Sequence, residues 1–223
     1  MRWARFLTVR ALRSMATRGV SMSMLELMAA YLRERTRARV LVPLALVLAL
    51  TGWLLVPGAG FDGTEFFVAT TQAFVLSLAF RVWDDLEDRN ADRLRHPNRV
   101  MARSTRTAPF LVLVALLAVA GMTSLLQLSD PLSRWIAVAI AVAVLSVWYS
   151  ARRSENWNRV AGGHVVLAKY PLIAFAVAPT LPAASGFARS AVVLLGLYAV
   201  ICAYEYIDDP ELRHVFSSRR SLP

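Results

Sequence analysis

RVWDDLEDRNADRLRHPNRVMAR, residues 81–103, decides how this chain is read. It follows directly on an apolar run that ends at Phe80 and sets five carboxylates, Asp84, Asp85, Glu87, Asp88 and Asp92, within nine residues. If the preceding helix continues, Asp84, Asp88 and Asp92 recur every four residues and share one face. Like charges at that spacing repel, and a hard divalent cation such as Mg²⁺, which prefers carboxylate oxygens, removes the repulsion. The alternative is a solvated helix end laced with charge, since Arg81, Arg89, Arg93 and Arg95 are interleaved. Pro97 is incompatible with a regular helix interior, so a loop is expected near His96. Beyond it, Arg95, Arg99 and Arg103 are placed to reach back to an anionic ligand held by the carboxylates.

Outward from this stretch the chain is mostly apolar. Of its 223 residues 57% are hydrophobic and the mean hydropathy is +0.49. The apolar residues fall in six blocks, about 40–57, 64–83, 108–127, 133–150, 160–178 and 188–206, each approaching the length that spans a hydrocarbon core. The expected fold class is therefore all-α, a polytopic membrane helical bundle of about six transmembrane helices. The expected division is a basic amphipathic segment over 1–38, a transmembrane domain over 39–209 and a tail over 210–223.

A net charge of +10 first suggests nucleic acid, but its distribution speaks for a lipid bilayer and against nucleic acid as partner. Nine arginines lie in 1–39 and seven in 81–106, with three each in 151–159 and 210–223. The intervening loops at 58–63, 128–134 and 179–189 carry zero, one and one. Basic residues thus alternate by side with each crossing, which places both termini and the aspartate stretch in the cytoplasm and the chain in a cell (inner) membrane. Residues 1–20 lack the apolar core and cleavage site of a signal peptide. The lone Cys202 excludes an intrachain disulfide.

Three further features stand out. Lys169, the only lysine, lies ten residues beyond Arg159, roughly 15 Å into the layer at about 1.5 Å per residue. An ammonium there is a functional-site candidate that faces a cavity or partner, or else it snorkels or pairs with a structural carboxylate. Thr70, Thr71, Gln72 and His164 read as helix contacts, Gly121 as a close-packing point, and Tyr149 as an interfacial tyrosine. Glu205, Asp208 and Asp209 end the sixth block before Pro210, so a second acidic cluster is expected on the same face as the first. Together the two clusters point to a metal–diphosphate site.

With both clusters in view, the chain resembles the UbiA-type intramembrane prenyltransferase superfamily over roughly 25–212. Asp84-Asp85-Leu86-Glu87-Asp88-Arg89-Asn90-Ala91-Asp92 fits its first signature, with Asp84 where the family usually has Asn. His96-Pro97-Asn98-Arg99 fits the turn that follows, with Val100 in place of a proline. Glu205-x-x-x-Asp209, overlapped by Asp208, stands where the second aspartate signature lies. The family commonly has nine crossings, so the resemblance implies a shortened form, with six crossings expected here. The resemblance implies a bundle around a central cavity open to lipid, with Mg²⁺ as cofactor.

On that resemblance Asp84, Asp85, Asp88 and Asp92 are the expected catalytic residues. Asp84, Asp88, Asp92, Glu205, Asp208 and Asp209 are the expected metal ligands, and Arg95, Arg99 and Lys169 the expected diphosphate contacts. The implied activity is Mg²⁺-dependent transfer of a polyprenyl group from a polyprenyl diphosphate to a lipophilic, in some cases aromatic, acceptor. The alternatives are a membrane terpene cyclase of the same family and a non-catalytic membrane subunit derived from the fold. A partner subunit or a second copy would complete the shortened bundle.

Overall fold

The computed structural model describes residues 22–36, 38–56, 58, 60–128, 130–152, 164–180 and 186–208, with the side chains of 152 and 205–208 outside that description. Every regular element among the described residues is helical: α1 (Met24–Arg35), α2 (Ala38–Leu54), α3 (Gly63–Glu87), α4 (Arg89–Arg95), α5 (Val100–Arg103), α6 (Ala108–Leu125), α7 (Pro131–Arg152), α8 (Lys169–Ala176) and α9 (Phe187–Asp208). The amphipathic segment expected over 1–38 is described only from Met22, and the tail after Asp208 lies outside the described residues.

Local chemistry sets the helix starts. Ser23 and Glu26 form a reciprocal capping box at α1: the Glu26 N–H donates to Ser23 Oγ at 3.2 Å and the Ser23 N–H to Glu26 Oε2 at 2.8 Å. Asp62 caps α3, accepting from the N–H groups of Thr64 and Glu65.

Four helices, α3, α6, α7 and α9, are long and apolar enough to cross a membrane, and a fifth crossing follows if α1 and α2 form one bent span. The 160–178 block gives less than the full-length helix its composition suggests. Its described part is the shorter apolar helix His164–Ala176, with a turn at Ala168. Pro171 explains the break: it has no N–H to reach the Leu167 carbonyl, and its ring crowds that carbonyl.

α3 is the axis of the bundle and packs most closely against α6 and α2. The larger core joins Ala45, Leu48 and Ala49 of α2, Ala73, Leu76 and Phe80 of α3, Leu145 and Trp148 of α7, Ile173 and Ala174 of α8, and Leu197 and Ile201 of α9. A second core joins Leu27, Met28 and Tyr31 of α1 to Leu78 and Val82 of α3 and Phe110 and Leu113 of α6. Small residues let the helices close, as is usual where hydrocarbon is the solvent. A Cβ on Gly121 would come within 2.6 Å of Leu76 Cδ2, and one on Gly52 within 2.9 Å of the Ala174 carbonyl oxygen. Leu116 and Val119 of α6, Val147 of α7 and Val192, Leu195 and Val200 of α9 face outward, an apolar belt suited to lipid.

Arg134, at the start of α7, is fully buried. Its guanidinium donates to the carbonyls of Ala176 at 2.7 Å, Ala178 at 2.5 Å and Pro179 at 3.3 Å. It thereby satisfies carbonyls that the end of α8 leaves without helical partners.

Candidate functional site at the end of α3

The i, i+4 register foreseen for the aspartates survives the turn that separates α3 from α4. The Asp88 N–H bonds the Asp84 carbonyl at 2.9 Å, and the Asp92 N–H bonds the Asp88 carbonyl at 2.8 Å. α4 then ends at Arg95, with His96 as its cap and a turn at Pro97–Asn98, as the proline dictates.

The side chains meet separate partners. Asp84 accepts the Tyr149 hydroxyl of α7 on Oδ1 and the Lys169 ammonium of α8 on Oδ2, so three helices converge on one carboxylate. Lys169 is 3% exposed. It points into the bundle and is paired with a carboxylate there, which avoids an isolated buried charge.

Asp85, also buried, accepts the Tyr31 hydroxyl at 2.7 Å and the Arg35 Nε at 2.6 Å, with a second Arg35 nitrogen on Oδ1 and Arg81 Nε at 3.7 Å. Asp92 receives Arg99 Nη1 on both oxygens, at 2.7 and 2.6 Å. Glu87 accepts the Trp83 indole N–H at 3.4 Å.

The loop after α4 is pinned from two sides. Arg89 donates to the carbonyls of Met101, at 3.2 Å, and Ser104, while Arg93 reaches those of Ala102 and Ser104 at 3.2 and 3.3 Å. Burial, with neighbouring Arg93, pulls the Arg89 pKa below its ordinary value. From α1, Glu34 Oε2 accepts the Val100 N–H at 2.7 Å. A small cavity remains between Tyr31, Glu34, Arg35, Asp85, Asp92, Arg99 and Met101. Arg95 is exposed on α4.

Beside Asp84 stands a wall of aromatic rings. Trp83 meets Tyr149 edge-on at 5.6 Å between centroids and stacks on Phe80 at 6.2 Å.

Two partners were hidden in the sequence. Tyr149 reads there as an interfacial tyrosine and Arg35 as a topology signal, yet both bind signature carboxylates. The weak clue to Tyr149 was its place at the end of an apolar block on the expected face of the aspartates. Elsewhere the helix-contact reading fits Gln72 and His164 but not Thr70 and Thr71: Gln72 donates to the Ser124 carbonyl of α6 at 2.9 Å, and His164 Nδ1 lies 3.2 Å from the Tyr198 hydroxyl of α9. Thr70 and Thr71 bond their own helix, at Phe66 and Phe67. Of the second acidic cluster, Glu205 and Asp208 lie in the last turns of α9 with side chains outside the description, and Asp209 lies outside the described residues.

The donors in the first stretch have the chemistry Mg²⁺ prefers, but their arrangement does not make a metal site. Among the described residues no three His, Cys, Asp or Glu side chains are grouped to hold an ion. Asp84, Asp85 and Asp92 are each turned to a different protein cation.

Helices that cross a membrane, an acidic helix end within the bundle and a buried lysine held on it define a multi-pass membrane protein with an internal polar site. The chain belongs to the UbiA prenyltransferase family, whose profile matches residues 45–215 and so encloses α3, the aspartate stretch, Lys169 and α9. No curated protein and no solved structure matches it.

Proposed function

We propose that the chain transfers a polyprenyl group from a polyprenyl diphosphate to a lipophilic acceptor, aromatic acceptors included, within a cell (inner) membrane. The family match across residues 45–215, with the aspartate stretch inside it, carries this reading. In the reaction the allylic C–O bond breaks and its electron pair leaves with the diphosphate. The acceptor then forms the new bond to carbon and gives up a proton.

A divalent ion such as Mg²⁺, when bound, would supply charge neutralisation for the leaving diphosphate. Asp84, Asp85, Asp88, Asp92, Glu205, Asp208 and Asp209 are the proposed acidic set, and Arg95, Arg99 and Lys169 the proposed diphosphate contacts. The arginine distribution favours placing this set and both termini on the cytoplasmic side. The Phe80–Trp83–Tyr149 wall supports cation chemistry, because aromatic faces stabilise a positive charge and apolar surroundings keep water from it.

One observation favours a second reading, a non-catalytic subunit. The pairing of Asp84, Asp85 and Asp92 with protein cations suits a purely structural role. Thermal unfolding of the purified protein with Mg²⁺ and a non-hydrolysable prenyl diphosphate analogue separates the two. A ligand of the folded state at one hundred times its dissociation constant adds about 2.7 kcal/mol. A stabilisation of that order is expected, and its absence at saturation overturns the transferase reading.

A further inference from the structure

We propose that α1, α5 and the start of α6 form a binding surface for the headgroups of anionic phospholipids, with Arg33, Arg39, Arg103 and Arg106 as its contacts.

The arginines at this end of the bundle divide into two sets. Arg35 and Arg99 are held on Asp85 and Asp92, while Arg89 and Arg93 are held on the carbonyls of Met101, Ala102 and Ser104. Arg33, Arg39, Arg103 and Arg106 are exposed, and among the described residues none of them pairs with a carboxylate. Arg106 Nη1 donates to the Met22 carbonyl at 3.4 Å, which sets it at the start of α1. Arg103 ends α5, which packs against α1, and Arg33 and Arg39 flank the other end of α1.

α1 sits at the depth where headgroups lie. Its core face, Leu27, Met28 and Tyr31, packs on Leu78 and Val82 towards the end of α3 and on Phe110 and Leu113 in the first two turns of α6. There two membrane helices leave the apolar layer. α1 turns 75° from α2, so it runs along the edge of that layer. Leu25, 75% exposed, lies outside the core face and suits the acyl side of an interfacial helix. Phosphate oxygens match the guanidinium fork, and each arginine near an anionic bilayer adds roughly fivefold to binding. An exposed leucine beside unpaired arginines favours a ligand with a charged head and an apolar tail over an acidic protein segment. The core side of α1 holds Asp85 through Tyr31 and Arg35 and the Val100 N–H through Glu34, so lipid on its outer side steadies this end of the bundle.

The test is hydrogen exchange over residues 24–35 of the full chain, in nanodiscs of phosphatidylcholine and of phosphatidylcholine mixed with phosphatidylglycerol. Residues 60–66, at the opposite end of α3, give the reference for any general effect of surface charge on exchange. Phosphatidylglycerol should slow α1 by at least about fivefold against that reference. Arg103→Gln combined with Arg106→Gln should lose most of the slowing, and the corresponding lysine pair, which keeps the charge, should retain part of it. If neither pair folds, the wild-type arms decide. Equal exchange in the two lipids overturns the proposal. Equal slowing by inorganic phosphate in phosphatidylcholine discs also overturns it, since that marks a site for free phosphate. Slowing kept in full by the glutamine pair does the same, because it marks a response to bulk surface charge.

Discussion

Lys169→Met and Asp84→Asn, made singly and together, test whether the convergence on Asp84 holds the bundle as well as the site. Removing one member of a buried ion pair costs about 3–5 kcal/mol, because the other is left without a counter-charge. Lys169→Met should fall at the low end of that range, since Asp84 keeps the Tyr149 hydroxyl and its side chain remains 15% exposed. Asp84→Asn leaves an ammonium that is 2% exposed facing a neutral amide oxygen and the Tyr170 ring in place of a carboxylate, and should cost at least as much. The double variant buries no charge at this point, and Tyr149 still has an oxygen to bond. It should therefore cost about 2–3 kcal/mol less than the sum of the singles, on the order of a hundredfold in the folded-to-unfolded ratio. Equilibrium unfolding in mixed micelles, followed by tryptophan fluorescence, reads this coupling. Single costs below about 1 kcal/mol, or costs that add to within about 0.5 kcal/mol, would show that the pair is not buried as described.

Three other perturbations follow from the packing and caps. Gly52→Ala should destabilise more than Gly121→Ala, although overpacking at either costs about 1–3 kcal/mol. At Gly52 the new methyl meets the backbone of Ala174 and Ala178, whereas at Gly121 it meets the movable end of Leu76; equal unfolding midpoints would count against the α2–α8 contact. Arg134→Met should cost at least about 2 kcal/mol, with about 1–3 kcal/mol for each buried carbonyl left unpaired, and Arg134→Lys should recover only part because one ammonium does not span three carbonyls. Full recovery by lysine would refute that role. Glu26 is held below the ordinary carboxylate range by the Ser23 backbone N–H and then its hydroxyl, so its support of α1 is complete above that range and lost as pH falls through the lowered value. Hydrogen exchange over 24–35 should quicken across that acid window in wild type, and a step that persists in Ser23→Ala would contradict the capping box.

What the sequence discloses is local. The blocks at 64–83, 108–127, 133–150 and 188–206 become α3, α6, α7 and α9, since length and hydropathy alone decide whether a segment spans hydrocarbon. The turn at Pro97 is equally legible, because proline acts on its own neighbours. The break at Ala168 was just as local, and Pro171 announces it. The partners of the site were not legible in this way. Asp84 meets residues 65 and 85 positions away, and Asp85 meets Arg35 50 positions away. Nothing in hydropathy distinguishes a tyrosine that rests at an interface from one that turns inward to a carboxylate. Arg134 was hidden for the same reason: one arginine at the start of an apolar block reads as a loop charge, and only the folded end of α8 supplies its three carbonyls.

The central claim, prenyl transfer at the end of α3, is met most directly by turnover. Purified protein in lipid nanodiscs, given labelled polyprenyl diphosphates, a panel of lipophilic acceptors and Mg²⁺, should release diphosphate and form a prenylated product. Asp88→Ala, folded as judged by its unfolding midpoint, should lose nearly all of that product. No product and no diphosphate release from wild type, across donors and acceptors and with Mg²⁺ present, would contradict the account and leave the family fold as a non-catalytic membrane subunit.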